Sequence, residues 1–354
     1  MGRLRVLMLG WEFPPRITGG LGVACAGLAG ALRARVDLTL RLPEDETGDP
    51  YATGEGYDGD LWRRVRAFAD RAAPGDFDLI HAHDWLTVPA ASELSRRTGL
   101  PIVLHLHSLE LDRSGERNRI FLVERAGMRM ARRVITVSNY TAGRCEHEYG
   151  IPRSKIRPVP NGVSARYGGS PGERRSRRVV FIGRMTPQKA PEDFLRMARG
   201  VAERVVDAEF VMAGTGEMLD PLKRLAAAMG LEGRIRFPGF LTRNQVMAEL
   251  STSAVLCLPS RSEPFGLVAL EAAAHGVPAV VTDRCGVAEV LPSARVVPVG
   301  DVRAMTSEVA SLLVDPVLRG SLGRQARMEA EAASWERAAE RVVEVYREVV
   351  SPSG

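Results

Sequence analysis

Only four cysteines, Cys25, Cys145, Cys257 and Cys285, are spread over 354 residues, and no two stand at a C-x-x-C spacing. That scarcity argues against a disulfide framework and a cysteine-built zinc site, and it fits a reducing, cytoplasmic compartment. No run approaches eighteen consecutive apolar residues, so no membrane-spanning helix is expected. Met1 to Gly10 runs straight into a strand, without the apolar segment and cleavage site of a secretory leader. Aromatic residues make up 6% of the chain, and none interleaves with the densest basic cluster, Arg174, Arg175, Arg177 and Arg178. A nucleic-acid groove combines both features, so nucleic acid is not expected as a partner.

Hydrophobic residues make up 45% and charged residues 26%, the mix of a soluble globular protein long enough for two domains. The formal charge of +5 comes from basic residues mostly interspersed with acids. The arginine cluster would attract an anionic ligand or give peripheral contact with an anionic membrane. The oligomeric state is not legible.

Apolar runs and turn residues alternate along the chain. Strands are expected at Arg5 to Gly10, Val36 to Leu42, Asp78 to Ala82, Ile102 to Leu106, Arg133 to Val137 and Ile156 to Val159. Helices are expected at Leu21 to Arg33 and Leu61 to Ala73, with Pro43 to Gly59 a polar connection. Ser164 to Arg178 is rich in Gly, Ser and Arg and marks a domain boundary. A second set follows: strands at Arg178 to Ile182, Glu209 to Ala213, Arg234 to Phe237, Ala254 to Pro259 and Ala279 to Thr282, with a helix at Pro191 to Val205. Such alternation predicts a parallel sheet covered on both faces, twice over. Ser334 can cap a last helix, Trp335 to Val350, with an apolar stripe of Ala338, Val342, Val343 and Tyr346.

Three loops carry candidate chemistry. Gly19, Gly20 and Gly22 resemble part of a dinucleotide fingerprint, but the strand-to-glycine connection is too long, Cys25 stands at the third glycine position and Asp37 opens its strand. Glycine N–H groups offered to a phosphate are the better reading. His81 and His83, with Asp84, and His105 and His107 fall at the carboxyl ends of two strands, where open α/β sheets bind ligands. The plain alternative is structural histidines. The i, i+2 pairs invite a metal, but both members share a face only if the strand continues, and no carboxylate ligand pattern accompanies them; no metal is expected.

Ser260 to Glu271 follows the strand Ala254 to Pro259 and leads into a helix expected at Val268 to His275 and closed by Gly276, so it reads as strand, loop and helix N-terminus. Pro264 suits a first helical turn, Gly266 permits close backbone approach, and an anion would meet N–H groups from about Gly266 to Val268. Glu271, seven residues past Pro264, comes back to the loop's side about two turns on. The alternative is a surface helix start with a solvated Glu. Arg184 and Lys189 follow directly from the carboxyl end of a strand, and as a pair they favour a diphosphate.

Gly19-Gly20-Leu21-Gly22, His81-Ala82-His83-Asp84-Trp85, His107, Ser138-Asn139, Asn161-Gly162, Gly183-Arg184 with Lys189, and Glu263 eight residues before Glu271 together resemble the retaining nucleotide-sugar glycosyltransferases, above all glycosyltransferase family four and the glycogen and starch synthases. The resemblance implies the GT-B fold: two Rossmann-like, doubly wound α/β domains facing a central cleft, with a C-terminal helix crossing back to the first. The expected division is residues 1–165 for an acceptor-side domain, 166–178 for a linker, 179–334 for the nucleotide-sugar domain and 335–354 for the crossover helix.

By matching position, Arg184 and Lys189 would bind the diphosphate and stabilise its departure, with the Gly19-Gly20 turn also on the donor. Glu263 would meet the sugar, Phe265, Gly266, Leu267 and Val268 would offer backbone N–H groups, and Glu271 would hold the ribose. His107 would bind the donor 6-hydroxyl beside the anomeric centre, while His83 and Asp84 would shape the acceptor side. The expected activity is retaining transfer of a hexosyl group from a nucleoside-diphosphate sugar, UDP-sugar first, to a hydroxyl of a small molecule, glycan or lipid-linked acceptor, with no cofactor required. The alternatives are a nucleotide-sugar 2-epimerase of the same fold and a non-catalytic sugar-nucleotide or glycan-binding module. One departure stands out: where the family often has a Gly-Gly pair, this chain has Cys285 before Gly286.

Overall fold

Runs of Val, Ile and Leu buried on both faces are the signature of central parallel strands, and the computed structural model shows two such sheets. It describes residues 2–14, 17, 19–43, 59–71, 75–164 and 177–351. Residues 44–58 of the polar connection, and residues 165–176 of the expected linker with Arg174 and Arg175, lie outside the described residues. The chain divides into two compact units, Met1–Gly162 with Ser334–Gly354, and Val163–Ala333.

In the first unit six strands, β1 (Arg5–Leu9), β2 (Asp37–Arg41), β3 (Leu79–His83), β4 (Ile102–Leu106), β5 (Arg133–Thr136) and β6 (Ile156–Pro158), form one sheet in the order β2-β1-β3-β4-β5-β6. All pairings are parallel. The central strands β3 and β4 are buried throughout, whereas the edge strand β2 is partly exposed. The helices are α1 (Gly20–Leu32), α2 (Gly59–Arg71), α3 (Asp84–Thr98), the short α4 (Glu110–Arg113), α5 (Arg119–Met130) and α6 (Asn139–Tyr149).

Strand order in the second unit is β12-β11-β10-β7-β8-β9, again wholly parallel. Its strands are β7 (Arg178–Ile182), β8 (Glu209–Ala213), β9 (Ile235–Gly239), β10 (Val255–Leu258), β11 (Ala279–Thr282) and β12 (Arg295–Val297). Its helices are α7 (Pro191–Arg204), α8 (Leu219–Ala228), α9 (Arg243–Thr252), α10 (Leu267–Ala274), α11 (Val302–Val314) and α12 (Pro316–Ala332). Phe181, Phe194 and Phe210 pack together at its centre, with Phe194 meeting Phe210 edge to face. Arg177 and Arg178, the two described arginines of the basic cluster, are engaged by Asp207 and Glu209.

The last helix, α13 (Trp335–Val350), belongs to the first unit and packs on α1. Ser334 caps it by accepting from Arg337 N–H at 3.3 Å. A glycine makes the contact possible: a Cβ at Gly27 would sit 2.2 Å from the Trp335 indole. Tyr346, at the other end of the apolar stripe, reaches His81 with its hydroxyl 2.6 Å from Nδ1. Among the described residues no helix is long and apolar enough to cross a membrane.

Candidate functional site

Open parallel sheets bind ligands beyond the carboxyl ends of their strands, at the point where strand order reverses. In the second unit that point lies between β7 and β10, and the two loops leaving it are Gly183 to Ala190 and Pro259 to Gly266. They are tied together by Arg261 N–H donating to the Gln188 carbonyl at 2.9 Å and the Gln188 amide donating to the Ser262 carbonyl at 3.1 Å. Lys189 Nζ then meets Glu263 Oε2 at 2.6 Å, with the Ser260 hydroxyl 3.4 Å from the same oxygen. Two residues distant in sequence, one proposed for a phosphate and one for a sugar, therefore form a mostly buried ion pair. Arg184 stands on the same loop, half-buried. Its backbone is braced from β8: Gly183 N–H donates to the Ala213 carbonyl and Met185 N–H to the Thr215 carbonyl. A Cβ at Gly214, whose φ is +134°, would lie 1.9 Å from the Gly183 carbonyl oxygen, so only glycine fits there.

The helix after Glu263 begins later than Pro264 suggests. Gly266 has φ +96°, a left-handed conformation that stops the helix from extending backwards, and α10 starts at Leu267. Pro264 therefore lies before the cap, not in the first turn. Phe265 and Gly266 are buried and Leu267 and Val268 half-buried, with first-turn N–H groups that have no acceptor within the helix.

The departure at Cys285 also acquires a reason. Its thiol fills the space that Gly266 vacates, 3.0 Å from where a Cβ would stand, and it lies 3.4 Å from the Phe265 carbonyl. Glu263 N–H donates to the Arg284 carbonyl and Val287 N–H to the Phe265 carbonyl, so the sulfur sits inside a paired strip of backbone. Glu271 is buried and ion-paired with Arg243 at the start of α9. Burial raises its pKa, and the guanidinium opposes that rise.

Reversal in the first unit lies between β1 and β3. Gly19 and Gly20 are exposed at the start of α1, beyond β1. β3 continues through His83, so His81 and His83 do share one face, and parallel pairing sets His83 beside His105. With His107 just past β4, four imidazoles group together, and His83 Nδ1 lies 2.8 Å from His107 Nε2. Asp84, buried at φ +54°, accepts from His107 N–H at 2.7 Å. Burial raises the Asp84 carboxyl to about 6, while the backbone bond from His107 pulls the other way. Burial also drives the pKa values of His81, His83 and His105 well below the usual imidazole range, so all three are neutral.

Sequence reasoning passed over Arg243, Gln188 and the approach of Tyr346 to His81. Gln245, whose side chain accepts from Thr242 N–H, marks where α9 begins, but nothing local tells which carboxylate Arg243 will meet.

The family description "Glycosyl transferases group 1" matches residues 170–329, and "Glycosyltransferase Family 4" matches residues 18–167. An uncharacterized glycosyltransferase of Bacillus subtilis, YqgM, is 31% identical over 292 residues, covering 80% of this chain and 79% of that protein. Glycogen synthase of Mycobacterium tuberculosis is 27% identical over 391 residues, covering 97% and 94%. Among solved structures, sucrose-phosphate synthase from Thermosynechococcus elongatus superposes with a TM-score of 0.80 at 20% identity, over 99% of this chain and all of that one. Anabaena HepE in complex with UDP-glucose gives 0.74 at 16% identity, over 98% and 100%. These likenesses show the GT-B fold.

Proposed function

The chain belongs to glycosyltransferase family 4, and from that premise we propose that it is a retaining hexosyltransferase. It takes a nucleoside-diphosphate sugar, UDP-sugar first, and passes the sugar to a hydroxyl of a small molecule, glycan or lipid-linked acceptor in the cytoplasm. The observation that carries this reading is the Lys189–Glu263 pair at the reversal point of the second sheet. A diphosphate arriving there meets a cation already oriented, and the carboxylate that orients it is an acceptor for sugar hydroxyls. HepE, a structural neighbour, is described in complex with UDP-glucose, which supports a donor of this class.

In the reaction the bond from the anomeric carbon to the leaving phosphate oxygen breaks, and the acceptor oxygen bonds to that carbon on the same face. The acceptor proton passes to the leaving phosphate, and the products are a glycoside and a nucleoside diphosphate. Negative charge grows on the diphosphate as it leaves, and Arg184 and Lys189 are the groups we assign to it. Glu271, its charge kept in balance by Arg243, takes the ribose. Gly19 and Gly20 are assigned to the donor, His107 to its 6-hydroxyl, and His83 with Asp84 to the acceptor side, on the strength of the family pattern.

Nucleoside diphosphate release, measured over a panel of donors with and without hydroxyl acceptors, tests the reading. Release that depends on acceptor supports transfer. Interconversion of the donor sugar without transfer would point to epimerisation, and donor binding without turnover would point to a binding module; either replaces the proposal.

A further inference from the structure

Five buried ring nitrogens in and just past β3 and β4 have no hydrogen-bond partner among the described residues: Nε2 of His81 and His83, both nitrogens of His105, and Nδ1 of His107. Buried polar atoms in folded proteins are nearly always satisfied, so a cluster of orphans in one place calls for a ligand. We propose that His81, His83 and His105 form a tris-imidazole site for a divalent first-row ion of the zinc class.

Ring nitrogens of these three residues lie within 4.8 Å of one another. The ring centroids are 4.3 Å apart for His81 and His83, 5.5 Å for His81 and His105, and 5.2 Å for His83 and His105. An ion about 2.0–2.1 Å from each nitrogen in tetrahedral geometry sets ring centroids roughly 5 Å apart. The outer contacts agree with this. Nδ1 of His81 is held by the Tyr346 hydroxyl and Nδ1 of His83 by His107, which leaves Nε2 of both, buried and without a partner among the described residues, as the nitrogens to offer. Metal-bound histidines characteristically use the second nitrogen in this way to fix tautomer and ring direction. Imidazole ligands suit zinc, copper, nickel and cobalt, whereas magnesium and calcium take oxygen.

A rival set, Cys25, His83 and His107, shares one member. It needs a thiolate from Cys25, which is buried in an apolar cluster with Met8 and Ala29. The three-histidine set needs no deprotonation. An ion on His83 Nε2 also orients the next bond: His83 is then left with a proton only on Nδ1, so it donates to His107 Nε2. The site would thus join β3 to β4 and hold His107 in one tautomer, a structural and positioning role with no part in the bonds made or broken.

The test uses full-length protein without a histidine tag, stripped with chelator and titrated with Zn2+ or Co2+. Expected are one ion retained per chain after desalting, a Tm that rises with the logarithm of free Zn2+, and a cobalt complex with visible tetrahedral absorption but no thiolate charge-transfer band. His81→Gln and His105→Gln should lose the ion while keeping the wild-type circular dichroism, and Cys25→Ser should keep it. Wild-type protein that retains no ion, a thiolate band that vanishes in Cys25→Ser, or undiminished binding in His105→Gln overturns the proposal. Should the histidine variants fail to fold, the wild-type stoichiometry and cobalt spectrum decide alone.

Discussion

In and just past the central strands of the first unit stand four imidazoles, all held uncharged by burial; beyond the strand ends of the second stand two ion pairs, Lys189–Glu263 and Arg243–Glu271. The sheets beneath are alike, six parallel strands with one reversal of order. The difference therefore lives in the last residues of the strands and the loops that follow them, where a superfold carries its chemistry. A neutral cluster can accept a cation without first losing protons. A paired cation can exchange its carboxylate for an anionic ligand, and the freed carboxylate can turn to hydroxyls.

The comparison breaks first at Lys189. Lys189→Ala should lower turnover on the order of 100- to 1000-fold, the range for removing one donor to a developing anion, with a smaller change in donor affinity. Glu271→Ala should do the reverse, weakening donor binding more than turnover. Steady-state kinetics with donor titration separates the two, and unchanged kinetics in both would remove the second unit's charged site.

Arg243→Ala comes next, because it leaves Glu271 buried without its cation, at a cost of about 1–3 kcal/mol after allowance for the partial exposure of the arginine. The sign with pH follows from proton counts. Glu271 has a folded pKa raised above its ordinary 4.5, so between those values the unfolded chain holds fewer protons and stability falls as pH rises. Losing Arg243 widens that window upward. The drop in Tm relative to wild type should therefore be larger at pH 8 than at pH 5, and an equal drop at both would contradict the pairing.

Gly27→Ala sharpens the other side of the comparison. The new methyl would meet the Trp335 indole, and the overpacking should cost about 1–3 kcal/mol, read as a lower Tm. The smallest effect is expected for Glu348→Ala. Glu348 pairs with Arg133 and Arg157 on the surface, and exposed pairs are worth about 0.2–1 kcal/mol. A loss of several kcal/mol would mean that α13 is held by charge and not by its apolar stripe.

Much of this was legible in the chain. Strand positions such as Ile102 to Leu106 and Glu209 to Ala213 follow from buried apolar runs between turn residues, and Arg184, Lys189, Glu263 and Glu271 stand out by family pattern. The helix read at Val268 to His275 is α10, shifted by one residue, but Pro264 lies before its cap and not in its first turn because the left-handed φ at Gly266 stops the helix from extending back. Arg243 was invisible because its partner lies twenty-eight residues away, on another helix. The histidine cluster needed the register of β3 against β4, and parallel register across an intervening helix leaves no local trace in sequence.

The most direct test of the central claim is the anomeric configuration of the product, read by proton NMR from the coupling at the transferred sugar's anomeric carbon, with an α-linked UDP-sugar as donor. A retaining transferase gives an α-linked product, formed together with one UDP for each sugar transferred and suppressed in Lys189→Ala. A β-linked product, or UDP formed at the same rate by the Lys189→Ala variant, would contradict that claim.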